Sequence, residues 1–304
     1  SDGSTALALT KAGSGTLTLS GTNTYTGVTT INAGTLSVGS IGNGGVAGNL
    51  GQATNTASNL VLGGGTLQYT GSTASTDRAF TITNSTTGTF DVSTSGTDLT
   101  ISGASASTSG ALTKVGSGRL ILSGANAYTG LTTISAGALQ AANNTALGTT
   151  ASGTTVSQGA ALELLGGITI GAEALTLNGD GISSGGVLRN VSGNNTYQGT
   201  IDISGSASGV RINSDSGTLT ISGNITNGGV YFVLGGAGNI TVSGIIGNGA
   251  GQVYKADSGT LILSGANSYT GLTTVAGGVL RASNNTALGT TAGGVTVSAG
   301  AALE

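Results

Sequence analysis

One short run of residues occurs three times in this chain, and this repetition limits the possible folds more than any other feature. The copies occupy residues 11–27, 114–130 and 255–271. The second and third copies then stay aligned without a gap over 112–163 and 253–304. Repeat proteins stack similar units, so that each unit contacts mainly its neighbours. The repetition therefore predicts one extended surface rather than a single catalytic pocket.

Apolar residues alternate with polar ones in short segments throughout the chain. Leu17 and Leu19, for example, are separated by Thr18 and flanked by Thr16 and Ser20. Side chains alternate between the two faces of a strand, so this pattern places one face in a core and the other in solvent. The abundance of Gly, Thr and Val disfavours helix. We predict strands at Leu17–Leu19, Leu99–Ile101, Leu120–Leu122, Leu175–Leu177, Leu219–Ile221, Ile240–Val242 and Leu261–Leu263.

These segments return at nearly constant intervals. Leu99 precedes Leu120 by 21 residues, and Leu120 precedes Leu139 by 19. A strand that returns after such an interval, with Gly and Asn at the turns, can stack in parallel on the previous one. Parallel crossovers favour the right-handed sense. We predict an all-β fold, a right-handed parallel β-helix (solenoid) of about 15 rungs with about 20 residues per rung, and loops at Ile41–Asn59 and Ser102–Ser109.

The composition excludes several classes of function. The chain contains no His, Cys, Met, Trp or Pro, which removes Ser-His and Cys-His nucleophiles, His/Cys zinc sites and disulfides. The lack of Cys also fits secretion in an unfolded state. Eight Lys and Arg residues against eleven Asp and Glu residues cannot form a basic stripe for nucleic acid. The apolar runs are too short for a membrane span. We expect no cofactor, no nucleic-acid partner and no transmembrane segment.

The repeated run resembles the autotransporter-associated β-strand repeat, also called the passenger-associated transport repeat. Its pattern is Lys-x-Gly-x-Gly-Thr-Leu-x-Leu-Ser-Gly-x-Asn-x-Tyr-x-Gly, and the resemblance covers 10–36, 112–163 and 253–304, with a degraded half-copy at 193–199. The positions that match the pattern are Lys11, Gly15, Leu17, Leu19, Gly21, Asn23, Tyr25, Gly27, Lys114, Gly118, Leu120, Leu122, Gly124, Asn126, Tyr128, Gly130, Lys255, Gly259, Leu261, Leu263, Gly265, Asn267, Tyr269 and Gly271.

The resemblance implies a passenger region of a Gram-negative type V secretion protein, exported through the outer membrane and displayed at the cell surface. On that basis we expect residues 1–304 to form a single β-helix, a fragment of a longer passenger. Its expected role is a structural stalk or adhesin-like passenger that is not an enzyme and whose stacking assists export. The family's signal peptide and membrane-embedded translocator have no counterpart among these residues. Anchoring of the protein in the outer membrane is therefore implied only by the resemblance.

Two other functions remain open at this point. The chain could be a self-assembling extracellular filament subunit, because neither end shows a charged or Pro-bearing cap. It could also be a polysaccharide-binding or polysaccharide-degrading β-helix protein. The expected partners are accordingly cell-surface or polysaccharide ligands, or further copies of the chain. For the motif side chains we expect structural roles, with the lysines as solvated ends of rungs and the tyrosines covering a turn with their hydroxyls in solvent.

A sparse group of charged residues raises the question of a metal or catalytic site. Its members are Glu163, Glu173, Asp180, Arg189, Asp202 and Arg211. A shared spacing of 22 residues could bring Asp180 near Asp202, and Arg189 near Arg211, on neighbouring rungs. Stacked like charges repel unless something neutralises them. Asp180 and Asp202 are therefore weak candidates for a calcium site, and catalysis by the group is a weaker hypothesis.

Overall fold

The computed structural model of the chain describes residues 6–247 and 249–304. Backbone contacts divide it into two compact units, Ser1–Gly153 and Thr154–Glu304. Each unit is an all-β parallel solenoid, in which short strands of one turn pair with strands of the next. Among the described residues, no helix has the length and apolar character needed to cross a membrane.

The described part of the first unit, residues 6–153, contains fourteen strands in three parallel ladders. The ladder orders are β1-β3-β5-β8, β2-β4-β6-β9-β11-β13 and β7-β10-β12-β14. A 3-10 turn, Ala57–Asn59, lies between β4 and β5. The strands are β1 Leu9–Lys11, β2 Thr16–Leu19, β3 Thr29–Ile31, β4 Thr35–Val38, β5 Leu60–Leu62, β6 Thr66–Tyr69, β7 Ala74–Thr76, β8 Thr81–Ile82, β9 Thr87–Val92, β10 Asp98–Ile101, β11 Ala111–Val115, β12 Arg119–Leu122, β13 Thr132–Ile134 and β14 Ala138–Ala141.

The second unit repeats this arrangement, with nineteen strands among its described residues. Its ladders are β15-β18-β21-β24-β27, β16-β19-β22-β25-β28-β30-β32 and β17-β20-β23-β26-β29-β31-β33. A 3-10 turn, Ile182–Ser184, follows β18. The strands are β15 Thr154–Val156, β16 Ala161–Leu165, β17 Thr169–Ile170, β18 Leu175–Leu177, β19 Leu188–Ser192, β20 Asn194–Tyr197, β21 Ile201–Asp202, β22 Val210–Ser214, β23 Thr218–Ile221, β24 Ile225–Thr226, β25 Phe232–Gly235, β26 Asn239–Val242, β27 Ile246–Gly247, β28 Val253–Lys255, β29 Thr260–Leu263, β30 Thr273–Val275, β31 Val279–Ala282, β32 Val295–Val297 and β33 Ala302–Leu303.

The predicted strands and their alignment are confirmed. In the first unit Leu99 pairs with Leu120, and Leu120 pairs with Leu139. In the second unit Leu219 pairs with Ile240, which is also the partner of Leu261. Leu17 and Leu19 are only half-buried, but in the other predicted strands the alternating residues are buried, so a column of Leu, Ile and Val side chains forms the core. The apolar periodicity thus sets the register, because a slip by one residue would turn these side chains to solvent.

The turns are longer and fewer than predicted. About 13 turns of about 22 residues occur, where the sequence suggested about 15 of about 20. One reason is the predicted loop Ile41–Asn59, which is confirmed and separates the paired residues Thr35 and Thr66. Another is the long turn that separates Leu162 from its partner Leu188. The right-handed sense and the continuity of one helix over the whole chain stay predictions.

A buried arginine fixes the loop at 41–59, although the sequence analysis gave it no role. Arg78 is only 3% exposed, and its guanidinium donates hydrogen bonds to the carbonyl oxygens of Gly42 at 2.9 Å, Ala53 at 3.2 Å and Gly51 at 2.8 Å. Burial lowers the pKa of Arg78 from its usual value. Since guanidinium offers five N–H donors and no acceptor, it suits a loop whose carbonyls converge on one point.

Candidate functional site

The motif lysines are buried, which corrects the expectation that they are solvated. Lys114 is fully buried, and Lys11 and Lys255 are 6% and 2% exposed. In each case the aliphatic stem lies in the apolar column: the strand partners of Lys114 are Phe90 and Ile134. The error arose because lysine usually keeps its charged end in water. Here the backbone supplies the polar partners that water would otherwise provide.

Each ammonium group is held by three backbone carbonyl oxygens. Lys114 Nζ donates to Val115 at 2.7 Å, to Gly116 at 2.9 Å and to Ala136 at 3.2 Å. Lys11 and Lys255 repeat this pattern at the equivalent positions, with distances from 2.5 to 3.1 Å. An ammonium group has three donors, so the site satisfies all of them. The third carbonyl belongs to the following turn, and the lysine therefore joins two turns.

Burial also affects the protonation of these lysines. Desolvation lowers the pKa of Lys114 to about 8, an effect opposed by the negative charge of Asp91. It lowers the pKa of Lys255 as well, opposed by Asp257 and assisted by Arg211. Burial penalises a charged group, and the ring of carbonyls offsets part of that penalty. The lysine site is thus a compact polar element inside an apolar column.

A glycine closes the lysine site, because no side chain fits there. Gly137 has a φ of +62°, and a Cβ atom on it would lie 2.4 Å from the carbonyl oxygens of Gly116 and Gly118 and 3.0 Å from Lys114 Nζ. A non-glycine residue would meet both a steric clash and an unfavourable backbone conformation. The glycines of the repeat therefore allow neighbouring turns to approach closely around the ammonium group.

The motif tyrosines are also more buried than expected. Tyr128 and Tyr269 are fully buried, and their hydroxyls are hydrogen-bonded to Thr132 at 2.8 Å and Thr273 at 2.7 Å. Tyr25 makes the same contact with Thr29 at 2.8 Å but remains half-buried. The prediction of a hydroxyl in solvent is therefore wrong for the second and third copies. A threonine four residues after the tyrosine provides the partner that a buried phenol requires.

The motif asparagines connect three successive turns. Asn126 accepts a hydrogen bond from the backbone N–H of Ser105 at 2.8 Å and donates to the carbonyl of Ala146 at 2.8 Å. Asn267 makes the equivalent bonds, accepting from Ile246 and donating to Ala287. The side chain therefore bridges one turn before its own and one turn after. Asn23 makes only a partial version, donating to the carbonyl of Asn49 at 3.0 Å.

The degraded copy replaces these groups with different polar contacts. Asn190 is fully buried and donates to Ser214 Oγ and to the Ser216 carbonyl, both at 2.9 Å, in a role comparable to that of the lysines. Tyr197 is also fully buried, but its hydroxyl has no hydrogen-bond partner among the described residues. The fourth residue after it is Ile201, which offers no hydroxyl.

A buried carboxyl group lies close enough to Tyr197 to affect its titration. Glu173 is 2% exposed, and burial raises its pKa to about 7, opposed by a 2.5 Å hydrogen bond with Thr154. Burial and the charge of Glu173 together raise the pKa of Tyr197 well above its usual value. The sequence only groups Glu173 with the other charged residues of this region, whereas the structure buries it inside the second unit.

The candidate calcium residues are not brought together. Asp202 pairs with Thr176, and Asp180 follows Gly179, which pairs with Val210. Each carboxylate accepts a hydrogen bond from a nearby serine of its own loop. The turns in this region contain more residues than the assumed 22, so the two positions lose alignment. In the part of the chain that the structure describes, no group of three or more potential metal ligands occurs.

The two arginines of the charged group are likewise not stacked on each other. Arg189 pairs in register with Asn213 and forms ion pairs with Asp215 at 2.7 Å and with Glu163 at 3.5 Å. Arg211 forms an ion pair with Asp257 and donates to Asn213 at 2.9 Å. The structure therefore pairs opposite charges where the spacing had suggested like charges.

A small surface cleft lies beside Arg211 in the second unit. Its volume is about 170 Å³. Of the ten Tyr and Phe residues in the chain, all of them described, only Tyr231 is exposed, at 43%, and it forms one wall. The exposure of Tyr231 is not evident from the sequence, because alternation along β25 does not indicate which flanking residue faces outward. The lining residues are Asp180, Ser184, Ser208, Gly209, Val210, Arg211, Tyr231 and Val233.

Taken together, the fold and the interlocked motif define a parallel β-solenoid repeat protein. The sequence profile of the passenger-associated-transport-repeat family matches residues 9–38, 112–141, 187–205 and 253–282. The chain is an autotransporter passenger-repeat protein. Over 238 residues it is 37% identical to the protein named "Adhesin BmaC autotransporter" of Brucella suis biovar 1 (strain 1330). The similarity covers 73% of this chain and 7% of that relative. No solved structure matches the chain.

Proposed function

We propose that this chain is a structural, adhesin-like passenger segment of an autotransporter, displayed outside a Gram-negative cell as a stalk. The family match and the adhesin relative support this role. Because the chain spans only 7% of that relative's length, the proposal concerns a segment of a passenger. The observation that carries it is the hydrogen bonding of motif side chains to the backbone of neighbouring turns.

These contacts make the folding of each turn depend on its neighbours. Lys114 reaches the carbonyl of Ala136 in the next turn, and Asn126 binds backbone groups of the turns on both sides. A turn that emerges from a membrane can therefore fold onto the turns already outside and complete their polar sites. Stepwise stacking of this kind opposes backward movement of the chain and uses no ATP. The absence of cysteine fits export in an unfolded state.

A binding or structural role is favoured over catalysis. The relative is named an adhesin. In addition, the carboxylates of Asp98, Asp215 and Asp257 form ion pairs with arginines, an arrangement that neutralises acids rather than preparing them for proton transfer. The filament alternative has no comparable observation in its favour and stays a prediction.

Surface display can be tested on intact cells that express the full-length protein. Antibodies against residues 1–304 are expected to label intact cells, and external protease is expected to remove the label. As a control, a periplasmic protein should be labelled only after the outer membrane is permeabilised. If the passenger, like the periplasmic control, is labelled only after permeabilisation, the proposal is contradicted.

The contribution of stacking to export can be tested by deletion of one whole turn. Deleting residues 99–119 places Leu120 in the register position of Leu99, because these two residues are strand partners. The matched control deletes residues 99–109, which removes part of a turn and shifts the register. Surface levels are expected to stay near wild type for the first deletion and to fall strongly for the second. Equal levels for both would show that stacking does not assist export.

A further inference from the structure

We propose that the cleft at Tyr231 binds a neutral pyranose sugar. The proposal deepens the adhesin-like function and rests on it for its biological meaning, since it names the class of ligand that the segment would contact. The cleft combines one exposed aromatic ring with carboxylate, hydroxyl and guanidinium groups around a volume of about 170 Å³. That combination matches a sugar ring, which has apolar C–H faces and a rim of hydroxyl groups.

The aromatic wall is positioned by its neighbours rather than free to rotate. The ring of Tyr231 packs against the ring of Tyr254, with centroids 5.7 Å apart and an angle of 49° between the planes. Its backbone carbonyl accepts a hydrogen bond from Val210 at 2.9 Å. A large apolar ring that is both exposed and held in place costs energy in water, which a stacking ligand recovers. The C–H face of a pyranose is such a ligand.

A glycine keeps the space in front of the ring open. Gly209 has a φ of +84°, and a Cβ atom there would lie 3.0 Å from the carbonyl oxygen of Tyr231 and 3.6 Å from its Cβ and Cδ1 atoms. Any larger residue would therefore be strained and would project beside the ring.

The polar lining offers both acceptors and donors to hydroxyl groups. Asp180 accepts one hydrogen bond from Ser184 at 2.5 Å, and an ionised carboxylate has about four lone-pair sites, so acceptor capacity remains. Ser208 provides an exposed hydroxyl. The guanidinium of Arg211 is held by Asn213 and Asp257, which fixes its orientation at the edge of the cleft. Groups fixed before binding lose little entropy when the ligand arrives.

The local charge favours a neutral sugar over an acidic one. The positive charge of Arg211 is already matched by Asp257, so the negative charge of Asp180 is left over. A carboxylate, sulfate or phosphate on the ligand would meet that charge with no free cation in the lining. Repulsion of this kind discriminates strongly between otherwise similar ligands.

The test is an array of immobilised neutral hexose and N-acetylhexosamine oligosaccharides, with oligogalacturonates as the acidic arm, probed with the purified chain. We expect weak binding of neutral sugars, with a Kd on the order of 1 mM for one site, measured by saturation-transfer NMR on the best ligand. Tyr231→Ala is expected to weaken that binding about tenfold, and Tyr231→Phe is expected to preserve it within about twofold, because stacking needs the ring and not the hydroxyl. Asp180→Asn should weaken it by a smaller factor.

Ile245→Ala serves as the matched control, because Ile245 is 39% exposed and lies outside the cleft lining. It should bind sugar like wild type, and the melting temperatures of all four variants should agree closely. Absence of binding to every neutral sugar, equal binding by Tyr231→Ala, or tighter binding of oligogalacturonates would each overturn the proposal. These outcomes are independent of the intact-cell labelling. If the chain does not bind sugar but intact cells are labelled, only the sugar-binding proposal is rejected. If the chain binds sugar but intact cells are not labelled, only the proposal of surface display is rejected.

Discussion

The complete repeat copies and the degraded copy differ in how they satisfy polar groups inside the core. In the complete copies a buried lysine is bound by three carbonyls, and a buried tyrosine is paired with a threonine. Around the degraded copy the register position of the lysine holds Leu188, and Asn190, two residues further on, donates to the next turn instead. Tyr197 has no hydroxyl partner among the described residues. Both regions keep the parallel ladder. The difference shows that the ladder tolerates loss of motif contacts.

The two regions therefore share a fold and differ in how much their buried polar groups contribute to stability. An apolar column built from Leu, Ile and Val is enough to hold the register. The polar groups of the motif add stability only when every donor and acceptor is matched, because an unmatched buried group costs about 1–3 kcal/mol. The same kind of substitution should therefore change the free energy of unfolding by different amounts in the two regions. For the tyrosines, the change should also have opposite signs.

The largest expected effect is the loss of the lysine site. Lys114→Met keeps an apolar stem but leaves three buried carbonyls without the ammonium group, so we expect the free energy of unfolding to fall by about 3–5 kcal/mol. Asn190→Ala in the degraded copy should cost less, about 1–3 kcal/mol, because an amide makes weaker hydrogen bonds than a charged group. Denaturant unfolding of both variants measures the difference. A Lys114→Met variant as stable as wild type would show that the site does not stabilise the fold.

The same variant has a pH signature. Burial lowers the pKa of Lys114 to about 8 from 10.5, so the unfolded chain holds this proton more tightly than the folded chain between these values. The wild-type free energy of unfolding should therefore rise as the pH increases from 8 to 10.5. Lys114→Met should show a smaller rise than wild type, because Lys255, whose pKa burial also lowers, still contributes in the same direction. A variant whose rise equals that of wild type would assign the titration to groups other than Lys114.

The next effect concerns Glu173, a buried acid that precedes the degraded copy and lies close to Tyr197. Burial raises the pKa of Glu173 to about 7 from 4.5, so the folded chain binds the proton more tightly between these values. Stability from this group is complete below pH 4.5 and decreases as the pH rises through 7, by about 3 kcal/mol at most. Glu173→Gln should remove that decrease, as measured by denaturant unfolding at a series of pH values. The control is the exposed carboxylate of Asp202: Asp202→Asn should leave the decrease unchanged.

The tyrosines give a smaller effect with opposite signs. Tyr128→Phe removes a buried hydrogen bond with Thr132 and should cost about 1 kcal/mol. Tyr197→Phe removes a buried hydroxyl with no partner among the described residues and should raise the free energy of unfolding by about 1 kcal/mol. The two melting curves should therefore shift in opposite directions. A shift in the same direction would show that Tyr197 has an unrecognised partner.

The strand positions could be predicted from the sequence because they depend on a local rule. Leu99, Leu120 and Leu139 lie in register as the spacing suggested, since each alternating pair must face the same core. The spacing failed between Glu163 and Arg211, where turns are longer and a rule based on a fixed interval assigned the wrong partners. The calcium hypothesis for Asp180 and Asp202 failed for this reason.

The interior polar groups could not be predicted because their partners are backbone atoms. No residue type in the sequence indicates that Val115, Gly116 and Ala136 direct their carbonyls at Lys114. Lysine on its own suggests solvent. The regular recurrence of Thr four residues after the motif tyrosine was a usable signal for a hydrogen bond, and its absence at Ile201 was a usable signal for the unpaired Tyr197.

The substitution with the smallest expected net effect, at Ile201, gives the most specific test of how the complete and degraded copies differ. Ile201 and Thr132 both begin a strand four residues after a buried tyrosine, and both are fully buried. Ile201→Thr loses two buried apolar carbons, roughly 1.6 kcal/mol, and gains a hydroxyl that can pair with the otherwise unpartnered hydroxyl of Tyr197, roughly 2 kcal/mol, so its net effect on the free energy of unfolding should be near zero.

The pairing itself becomes visible in a double-mutant cycle. In the Ile201→Thr background, Tyr197→Phe should no longer stabilise the chain but should cost about 1 kcal/mol, as Tyr128→Phe does, which corresponds to a coupling of about 2 kcal/mol between the two positions. Additive effects, with no coupling, would mean that a threonine at 201 cannot reach the phenol. The degraded copy would then differ from the complete copies in backbone geometry as well as in side chains.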